Sequence, residues 1–298
     1  MRIAVTGRNG QVVSALREVA RADGVDILTL ARPDMDLADP ASVRSAVLAA
    51  RPDLVINAAA YTAVDAAEDD EATAFAINAG GVQAMAEASA ALGVPLFQIS
   101  TDYVFDGSAN RPYVEADIPA PLNVYGRSKL AGEVTAAANP RHAIFRTSWV
   151  HSAFGPNFIA TMLRLARTRT ELTVVADQIG SPTAALDIAQ ALLAMAGKAI
   201  AAPDDPKLSG VFHLTATGAT SWAGLAEFVF AESARLGGPG AKVVPTTTAA
   251  YGARAPRPLN SRLGGTRLYD STGIAMRDWR EGAAATVARL LAEDRLIG

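Results

Sequence analysis

Short apolar runs alternate with helical patterns through the first half of this 298-residue chain, and this alternation limits the possible folds most. The apolar runs predict strands over Ile3–Val5, Val25–Leu30, Leu54–Ala60, Pro95–Ser100 and Ala143–Thr147. Helical patterns fill the intervals at Gln11–Ala22, Pro40–Ala50, Ala72–Leu92 and Tyr125–Ala138. A strand followed by a helix, repeated with short joins, predicts an α/β fold with a doubly wound parallel sheet.

A glycine-containing turn, Thr6-Gly7-Arg8-Asn9-Gly10-Gln11-Val12-Val13, joins the first strand to the first helix. Backbone N–H groups and the helix dipole can hold a pyrophosphate at such a place, which predicts a Rossmann-type dinucleotide site. Gly7 permits the tight turn and Gly10 the close approach of a phosphate. Val13 stands where a third glycine normally lets the helix pack closely against the sheet. The sequence therefore leaves open how closely this helix packs. A plain strand-to-helix turn is the alternative.

Residues after the second and third strands bear on the choice of cofactor. Arg32 follows the second strand, and an arginine there can meet a 2′-phosphate, which favours NADPH over NADH. A solvated surface arginine is the alternative, so the expected cofactor is NADPH or NADH. Asp36-Leu37 is placed to line the adenine, and the small residues Asn57-Ala58-Ala59-Ala60 the middle of the cofactor.

Tyr125 and Lys129 are four residues apart on a predicted helix and therefore share one face. An ammonium one turn away is expected to lower the pKa of a phenol, and a phenol tuned in this way can protonate a carbonyl oxygen. Thr101 ends the fourth strand, where a hydroxyl can hold a substrate carbonyl. Together the three residues form the set that reduction of a ketone by hydride requires. A tyrosine-lysine pair alone is common, so its weight comes from the motifs upstream.

The second half of the chain is less regular. Helices are predicted at Phe158–Arg169, Thr183–Met195, Trp222–Ala234 and Gly282–Glu293, and strands at Leu172–Val175 and Gly210–Leu214. We therefore expect residues 1–150 to form the dinucleotide-binding domain. Residues 151–298 should form mainly a smaller C-terminal α/β substrate lobe, interleaved with the sheet.

Several long stretches match a known family, among them S-T-D-Y-V-F-D-G, P-L-N-V-Y-G-R-S-K-L-A-G-E, F-R-T-S-W-V and R-P-x-N-S-R-L. Through these motifs, which run from the first strand to Leu263, the chain resembles the extended short-chain dehydrogenase/reductases. Within that family it is similar to the reductases of nucleotide-linked 4-keto sugars. The resemblance implies NAD(P)H-dependent reduction of C4 of dTDP-4-dehydro-6-deoxy-L-mannose, a dTDP-linked keto-deoxyhexose, to dTDP-L-rhamnose.

The resemblance also implies roles for residues at matching positions. Tyr125 is implied as the proton donor, Lys129 as its partner and a contact of the nicotinamide ribose, and Thr101 as the residue that holds the C4 carbonyl. Asp102 lies nearby on the sugar, and Trp149 contacts the deoxysugar. Asn157 and Asn260-Ser261-Arg262 approach the nucleotide diphosphate. The remaining cofactor contacts are Gly10, Gln11, Val12, Asp36, Leu37, Ala60, Tyr61, Thr62 and Tyr103.

Composition excludes several classes of protein. A net charge of −3 gives no reason to expect a nucleic-acid or anionic-membrane partner, and the absence of cysteine excludes disulfides and thiolate metal sites. The three histidines show no ligand spacing, and Ala15 replaces an acidic residue that some relatives link to a metal-bridged dimer, so no metal site is expected. No apolar run reaches a membrane span and no signal sequence opens the chain. We expect a cytoplasmic monomer or homodimer.

Two other functions remain open at this level. A nucleotide-sugar epimerase or dehydratase, or another reductase, can use the same scaffold, although dehydratases of this group need an Asp-Glu pair after the threonine. Here Thr101 is followed by Asp102 and Tyr103. A non-catalytic regulatory subunit, such as that of methionine adenosyltransferase, also has this fold, but such a subunit has no need to keep Thr101, Tyr125 and Lys129 together.

Overall fold

The computed structural model describes residues 1–293. Its strands, in chain order, are β1 (Arg2–Thr6), β2 (Asp26–Leu30), β3 (Leu54–Asn57), β4 (Leu96–Thr101), β5 (His142–Thr147), β6 (Val150–His151), β7 (Glu171–Val175), β8 (Ile179–Gly180), β9 (Thr183–Ala184), β10 (Gly210–His213), β11 (Thr220–Ser221) and β12 (Lys242–Thr246). Its α-helices are α1 (Gln11–Asp23), α2 (Pro40–Ala50), α3 (Val64–Ala67), α4 (Glu71–Phe75), α5 (Gly81–Leu92), α6 (Val124–Ala136), α7 (Phe158–Ala166), α8 (Ala185–Ala201), α9 (Trp222–Arg235), α10 (Thr248–Tyr251), α11 (Thr266–Thr272) and α12 (Trp279–Ala292).

A parallel sheet in the order β10-β5-β4-β3-β1-β2 forms the centre of the molecule. The predicted doubly wound α/β fold is therefore confirmed. Along the chain, β2 lies on one side of β1 and β3 on the other, so the strand order reverses there. A crevice opens at the carboxyl ends of the strands where such a reversal occurs.

Both faces of this sheet are covered by helices, which explains why its strands are continuous apolar runs. Ile3 and Val5 point to the face that α1 and α8 cover, while Ala4 and Val55 pack on the face that α2 and α5 cover. Because α8 and β10 belong to this core, the chain returns to the sheet after its first excursion.

A second apolar core lies outside the sheet. Helices α7, α9 and α12 contribute Ile159, Leu163, Val229 and Val287 to it, and the parallel pair β7–β12 closes one side. The sequence analysis did not predict β12, α3 or α11. The predicted substrate lobe extends to residue 298, and its residues 294–298 lie outside the described part.

Two local differences from the predicted elements affect the site. The predicted strand Leu54–Ala60 ends at Asn57, because the alanines that follow turn into the crevice. The predicted helix Ala72–Leu92 contains a π-helical turn, Ala76–Gly80, between α4 and α5. Such turns inside helices are frequent at functional sites. None of the helices within residues 1–293 has the length and apolarity needed to cross a membrane.

Candidate active site

A cleft of about 700 Å³ opens at the carboxyl edge of the sheet. The turn after β1 and the segments after β3, β4 and β5 line it, together with α6 and one residue of α9. Of the residues predicted from sequence, the structure brings the following to this cleft: Gly7, Gly10, Gln11, Val12, Ala60, Thr62, Thr101, Asp102, Tyr103, Tyr125, Lys129 and Trp149. Tyr61 does not line it and packs beside Tyr125 in a small apolar cluster.

The turn between β1 and α1 has the form that phosphate binding requires. Gly7 has a φ of 95°, in the region that favours glycine, and Gly10 caps α1 with extended backbone. Among the described residues of the first turn of α1, none is acidic and no side chain caps the helix. The N-terminal amides and the positive end of the helix dipole are therefore left for an anion. Val13 is buried in the core, so the helix packs without the third glycine.

A second cavity, of about 440 Å³, continues this groove beyond Gly7 and Ala60 and contains Arg32, Asp36 and Leu37. The Nε of Arg32 lies 2.9 Å from a carboxylate oxygen of Asp36, and both side chains are exposed. The Arg32 hydrogen bond holds the pKa of Asp36 below its usual value. Arg8, which the sequence analysis did not single out, also lines this cavity and adds a second positive charge.

Polar side chains link the strand ends beneath the groove. Thr6 donates to Asn57 at 2.5 Å, Asn57 donates to Gln98 at 2.8 Å, and Gln98 donates to the carbonyl oxygen of Ile99 at 2.8 Å. Because all three side chains are buried, their hydrogen bonds fix the edges of β1, β3 and β4 relative to one another. The same Ile99 carbonyl accepts a hydrogen bond from Nζ of Lys129 at 2.6 Å.

Asn78, on the π-helical turn, connects the loop after β3 to α6. Its carboxamide pairs with both backbone groups of Tyr61 at 2.8 and 3.0 Å and donates to Oγ of Ser128 at 2.9 Å. Helix α6 approaches this turn closely, since a Cβ on Gly132 would collide with the carbonyl oxygen of Asn78. This contact explains the glycine in the K-L-A-G-E motif.

Thr101 and Tyr125 meet where β4 ends. A hydrogen bond joins their side chains, with the phenol donating, because the single hydroxyl proton of Thr101 is donated to Asp102 at 3.0 Å. Helix α6 reaches this edge because a Cβ on Gly126 would collide with the carbonyl oxygen of Tyr103. The structure therefore places a hydroxyl and a phenol side by side at the wall of the cleft, as a carbonyl clamp requires.

Asp102 is a buried carboxylate without a cationic partner among the contacts of the described residues. Burial raises its pKa to about 6, and hydrogen bonds from Ser261, Thr101 and Ser148 oppose that rise. Oγ of Ser148 lies 3.0 Å from the carboxylate. Sequence reasoning missed Ser148, although it directly precedes Trp149 in the F-R-T-S-W-V motif.

The predicted lowering of the pKa of Tyr125 by Lys129 is wrong. Burial raises the pKa of Tyr125, the Thr101 hydrogen bond opposes this rise and the charge of Asp102 adds to it, and the pKa is raised to about 12. The ammonium of Lys129 donates to Ile99 instead, and burial lowers its pKa to about 8 against the charge of Glu133. Tyr125 is thus a neutral phenol at physiological pH, which is the form that donates a proton.

A buried ion pair lies one helical turn below Lys129. Arg146 of β5 donates to Glu133 of α6 through Nε at 2.9 Å and Nη2 at 2.7 Å, and both side chains are about 95% buried. Ser100 donates to the same carboxylate at 2.5 Å. Through this pair and Ser100, α6 is joined to β4 and β5 next to Thr101 and Lys129.

Trp149 lies in the cleft wall, but Trp222 covers one face of its ring. The two ring centroids are 3.5 Å apart and the planes differ by 5°. Trp149 has a backbone φ of 48°, a value that residues other than glycine rarely adopt. Trp222 was not predicted to be functional, because no sequence spacing relates it to Trp149.

Two predicted substrate contacts lie apart from the cleft. Asn157 caps α7 by accepting from the backbone of Ala160 and donates to the carbonyl oxygen of Ser152. Arg262 lines a neighbouring cavity of about 570 Å³ that shares no described lining residue with the cleft, and it donates to Asn260 at 2.7 Å. Ser261, which lies between Asn260 and Arg262 in the chain, forms a side-chain hydrogen bond with Asp102.

The segment that carries Ser261 is tied to α3 by ion pairs. Arg257 donates to the carboxylate of Asp65 at 2.7 and 2.9 Å, and Arg254 pairs with Asp69 just beyond α3. The arginines of this loop therefore serve to hold it over the edge of the sheet, where Arg257 also meets Tyr103.

Comparisons with known proteins give a consistent result. Residues 1–292 match the family model described as the RmlD substrate binding domain. The dTDP-4-dehydrorhamnose reductase of Sinorhizobium fredii is 49% identical to this chain over 296 residues, which cover 99% of both proteins. The enzyme of the same name from Escherichia coli K12 is 41% identical over 301 residues, covering 98% of both.

A solved structure agrees with these sequence relatives. The dTDP-4-dehydrorhamnose reductase of Bacillus anthracis, crystallised in complex with NADP, superposes with a TM-score of 0.88 at 37% identity. The match covers 96% of this chain and 98% of that one. The similarity therefore extends over both apolar cores.

Proposed function

The chain belongs to the RmlD substrate binding domain family, and we propose that it reduces the C4 ketone of dTDP-4-dehydro-6-deoxy-L-mannose with NAD(P)H, giving dTDP-L-rhamnose. Near-full-length identity to dTDP-4-dehydrorhamnose reductases supports this activity. An NADP complex within the family supports the cofactor. The chain is thus an NAD(P)H-dependent oxidoreductase of dTDP-rhamnose biosynthesis.

The meeting of Thr101 and Tyr125 at the end of β4, with Lys129 one turn along α6, is the observation that carries the proposal. A ketone oxygen placed between the threonine hydroxyl and the phenol receives two hydrogen bonds when the Thr101 hydroxyl turns from Asp102 toward it. Thr101 is buried and Tyr125 is partly buried, and away from bulk water such hydrogen bonds stabilise developing negative charge more strongly.

The reduction divides into a hydride step and a proton step. When bound, NAD(P)H supplies the hydride that adds to C4 of the sugar. The ketone oxygen becomes an alkoxide, which Thr101 and Tyr125 stabilise, and Tyr125 then gives it the phenolic proton. With a pKa raised to about 12, Tyr125 holds that proton at neutral pH yet is acidic enough to protonate an alkoxide.

The groove has the form that a dinucleotide needs. The free amides at the start of α1 are proposed to hold the pyrophosphate, with Gly7 and Gly10 allowing its approach. The cavity with Arg32, Asp36 and Leu37 is proposed to hold the adenosine. Gln11, Val12, Ala60, Thr62, Tyr103 and Lys129 line the larger cleft, which is proposed to hold the nicotinamide half of the cofactor.

The residues proposed to contact the substrate lie in different places relative to the cleft. Trp149 and Asp102 line the cleft beside Tyr125, which supports contact with the sugar. Arg262 lines the neighbouring cavity, so its proposed contact with the nucleotide requires the substrate to extend past Ser261. Asn157 is engaged as the cap of α7, and we propose that it shapes the site through Gly155 and Pro156, which line the cleft.

Elimination chemistry of the dehydratase type is disfavoured by the residue after Asp102. A dehydratase of this scaffold needs a glutamate there, and this chain has Tyr103. Burial raises the pKa of Tyr103 further above its usual value, so it cannot serve as a base near neutral pH.

We further propose that residues 1–150 with the returning α8 and β10 form the cofactor-binding unit, and that the remainder forms the substrate lobe. We place the enzyme in the cytoplasm, where nicotinamide cofactors and nucleotide sugars are made. A monomer or homodimer is proposed, and light scattering during size-exclusion chromatography distinguishes the two.

The decisive experiment supplies the purified protein with the keto sugar and either NADPH or NADH. We expect loss of reduced-cofactor absorbance and identify the product as dTDP-L-rhamnose by NMR. The absence of cofactor oxidation would rule out the reductase. Tightly bound NAD⁺ in the freshly purified protein, with conversion of a sugar that needs no added cofactor, would indicate an epimerase instead.

A further inference from the structure

Trp222 brings the C-terminal lobe into the cleft. It is the first residue of α9, and it is the only residue beyond Pro156 among the described residues that line the cleft. Its indole stacks on that of Trp149, which follows β5 of the central sheet. The stack therefore joins the second lobe to the catalytic edge through two side chains.

Trp149 needs support from its neighbours to stay where it is. Its backbone lies in the left-handed region, a conformation that persists only when the surrounding structure determines it. Gly180 packs against the same indole so closely that a Cβ there would collide with it. Trp222 supplies the largest aromatic contact of this ring.

The orientation of Trp222 is itself fixed by a short hydrogen-bond chain. Its Nε1 donates to Oε1 of Gln178 at 3.1 Å, and the amide nitrogen of Gln178 donates to Thr248 at 3.0 Å. Thr248 in turn donates to Asp177 at 2.7 Å. Since Gln178 is buried and bonded at both ends of its amide, the indole is held in one rotation.

We propose that Trp222 is a positioning residue for the sugar that acts through Trp149, an inference that rests on the proposed reductase function. Held by Gln178, Trp222 keeps Trp149 as a rigid aromatic wall opposite Tyr125. The apolar side of a nucleotide-linked 6-deoxyhexose meets that wall while its ketone lies between Thr101 and Tyr125. The cavity proposed for the adenosine, with Arg32, Asp36 and Leu37, includes neither Trp149 nor Trp222 in its lining, so binding of that part of the cofactor should not depend on the stack.

The first arm of the test is steady-state kinetics of Trp222→Ala. We expect KM for the keto sugar to rise three- to tenfold, the scale of one aromatic pair, and kcat to fall as the ketone loses its position. KM for NADPH should stay unchanged. Trp222→Phe should restore most of the loss by keeping an aromatic partner, and Gln178→Leu should give an intermediate effect.

Tyr251→Ala is the matched control, since it removes an exposed aromatic ring of the same lobe outside the cleft. It should leave all these constants at their wild-type values. A general loss of folding in Trp222→Ala would instead lower the apparent kcat and leave KM for the keto sugar unchanged, because only the folded fraction binds and reacts.

The second arm measures binding without turnover, using dTDP-L-rhamnose as the probe in calorimetry and tryptophan fluorescence. Besides the stacked pair the chain has only Trp279, which is buried in the second core, so the fluorescence change should come from the stack. We expect Trp222→Ala to weaken product binding by the same three- to tenfold factor.

The two arms separate the possible failures. If Trp222→Ala keeps wild-type KM and product affinity, the inference is wrong while the reductase function stands. If the wild type binds the product but does not oxidise NADPH with the keto sugar, the proposed function fails, and weaker binding by Trp222→Ala still supports the inference. If the wild type neither turns over nor binds, both are wrong.

Discussion

The two ends of the proposed cofactor groove differ in the burial of their ionisable groups and in the direction of the pKa shifts. At the catalytic end Asp102, Tyr125 and Lys129 are largely withdrawn from water. Burial raises the pKa of Asp102 and Tyr125 and lowers that of Lys129, and each shift favours the neutral form of the group. At the adenosine end the Arg32–Asp36 pair is exposed. The pKa of Asp36 is lowered there, which favours its charged form.

The difference shows at which end charged groups affect the stability of the fold. Solvent screens the charges at the adenosine end, so they cost little and contribute little. At the catalytic end, desolvation keeps a phenol protonated and strengthens each hydrogen bond, but it also destabilises the fold. The Glu133–Arg146 pair below Lys129 helps to hold this costly arrangement together.

Replacing the phenol of Tyr125 tests the catalytic end most strongly. Tyr125→Phe should lower kcat by about 10²–10⁴-fold, because a positioned proton donor is lost. Folding and NADPH binding should remain, since the ring still packs. Steady-state rates with the keto sugar measure this, with Tyr251→Phe as the exposed control. Wild-type turnover in Tyr125→Phe would contradict the assigned role.

Breaking the buried pair tests the layer beneath. Glu133→Gln leaves the guanidinium of Arg146 buried without a counter-charge, and should cost about 3–5 kcal/mol of unfolding free energy in urea. The exposed pair Arg44–Glu87 provides the control, because Glu87→Gln should cost less than about 1 kcal/mol. Equal losses in the two variants would mean that burial makes no difference to these pairs.

Asp102→Asn should remove part of the cost of burying charge. The folded pKa of about 6 lies above the usual 3.8, so the wild type loses stability as pH rises between these values. The variant should therefore be more stable than the wild type at pH 7.5 by about 1–3 kcal/mol, while its activity falls. Chemical unfolding at several pH values measures the difference.

The sign of that pH dependence is the sharper part of the Asp102 prediction. The advantage of Asp102→Asn should shrink as the pH falls toward 4, because the folded wild-type carboxyl is then protonated and no charge is buried. An advantage that grew on acidification would show that Asp102 is stabilised as an anion.

Arg32→Ala should have the smallest effect. An exposed charge-assisted contact contributes about 0.2–1 kcal/mol, so KM for NADPH should rise about two- to fivefold, with less change for NADH and no measurable loss of stability. The effect should diminish at high salt. Arg44→Ala is an exposed control away from the groove. An equal change for both cofactors would show that Arg32 does not meet the 2′-phosphate.

Sequence predicts the part of this molecule that local pattern determines. The helix Pro40–Ala50 and the turn at Gly7 follow from caps, periodicity and glycine placement, and the motifs around Thr101 and Tyr125 carry the residues that we propose as catalytic. Each of these features depends on residues that are close together in the chain.

The remainder depends on burial and on contacts between distant segments. The pKa of Tyr125 is raised because the folded chain excludes water there, which spacing from Lys129 does not reveal. The Trp149–Trp222 stack and the approach of Ser261 to Asp102 join separate lobes, so no local pattern announces them. The π-helical turn at Asn78 likewise reflects the docking of α6.

The loop that brings Ser261 to Asp102 has a consequence for synthesis of the enzyme. A ribosome releases the chain in order, and the strands of the sheet are complete once β10 has emerged. The arginines that tether this loop to Asp65 and Asp69 follow much later. A nascent chain that has released β10 therefore contains every strand of the sheet but lacks Ser261 and the α12 residues of the second core, so premature termination before residue 261 should yield a protein without reductase activity.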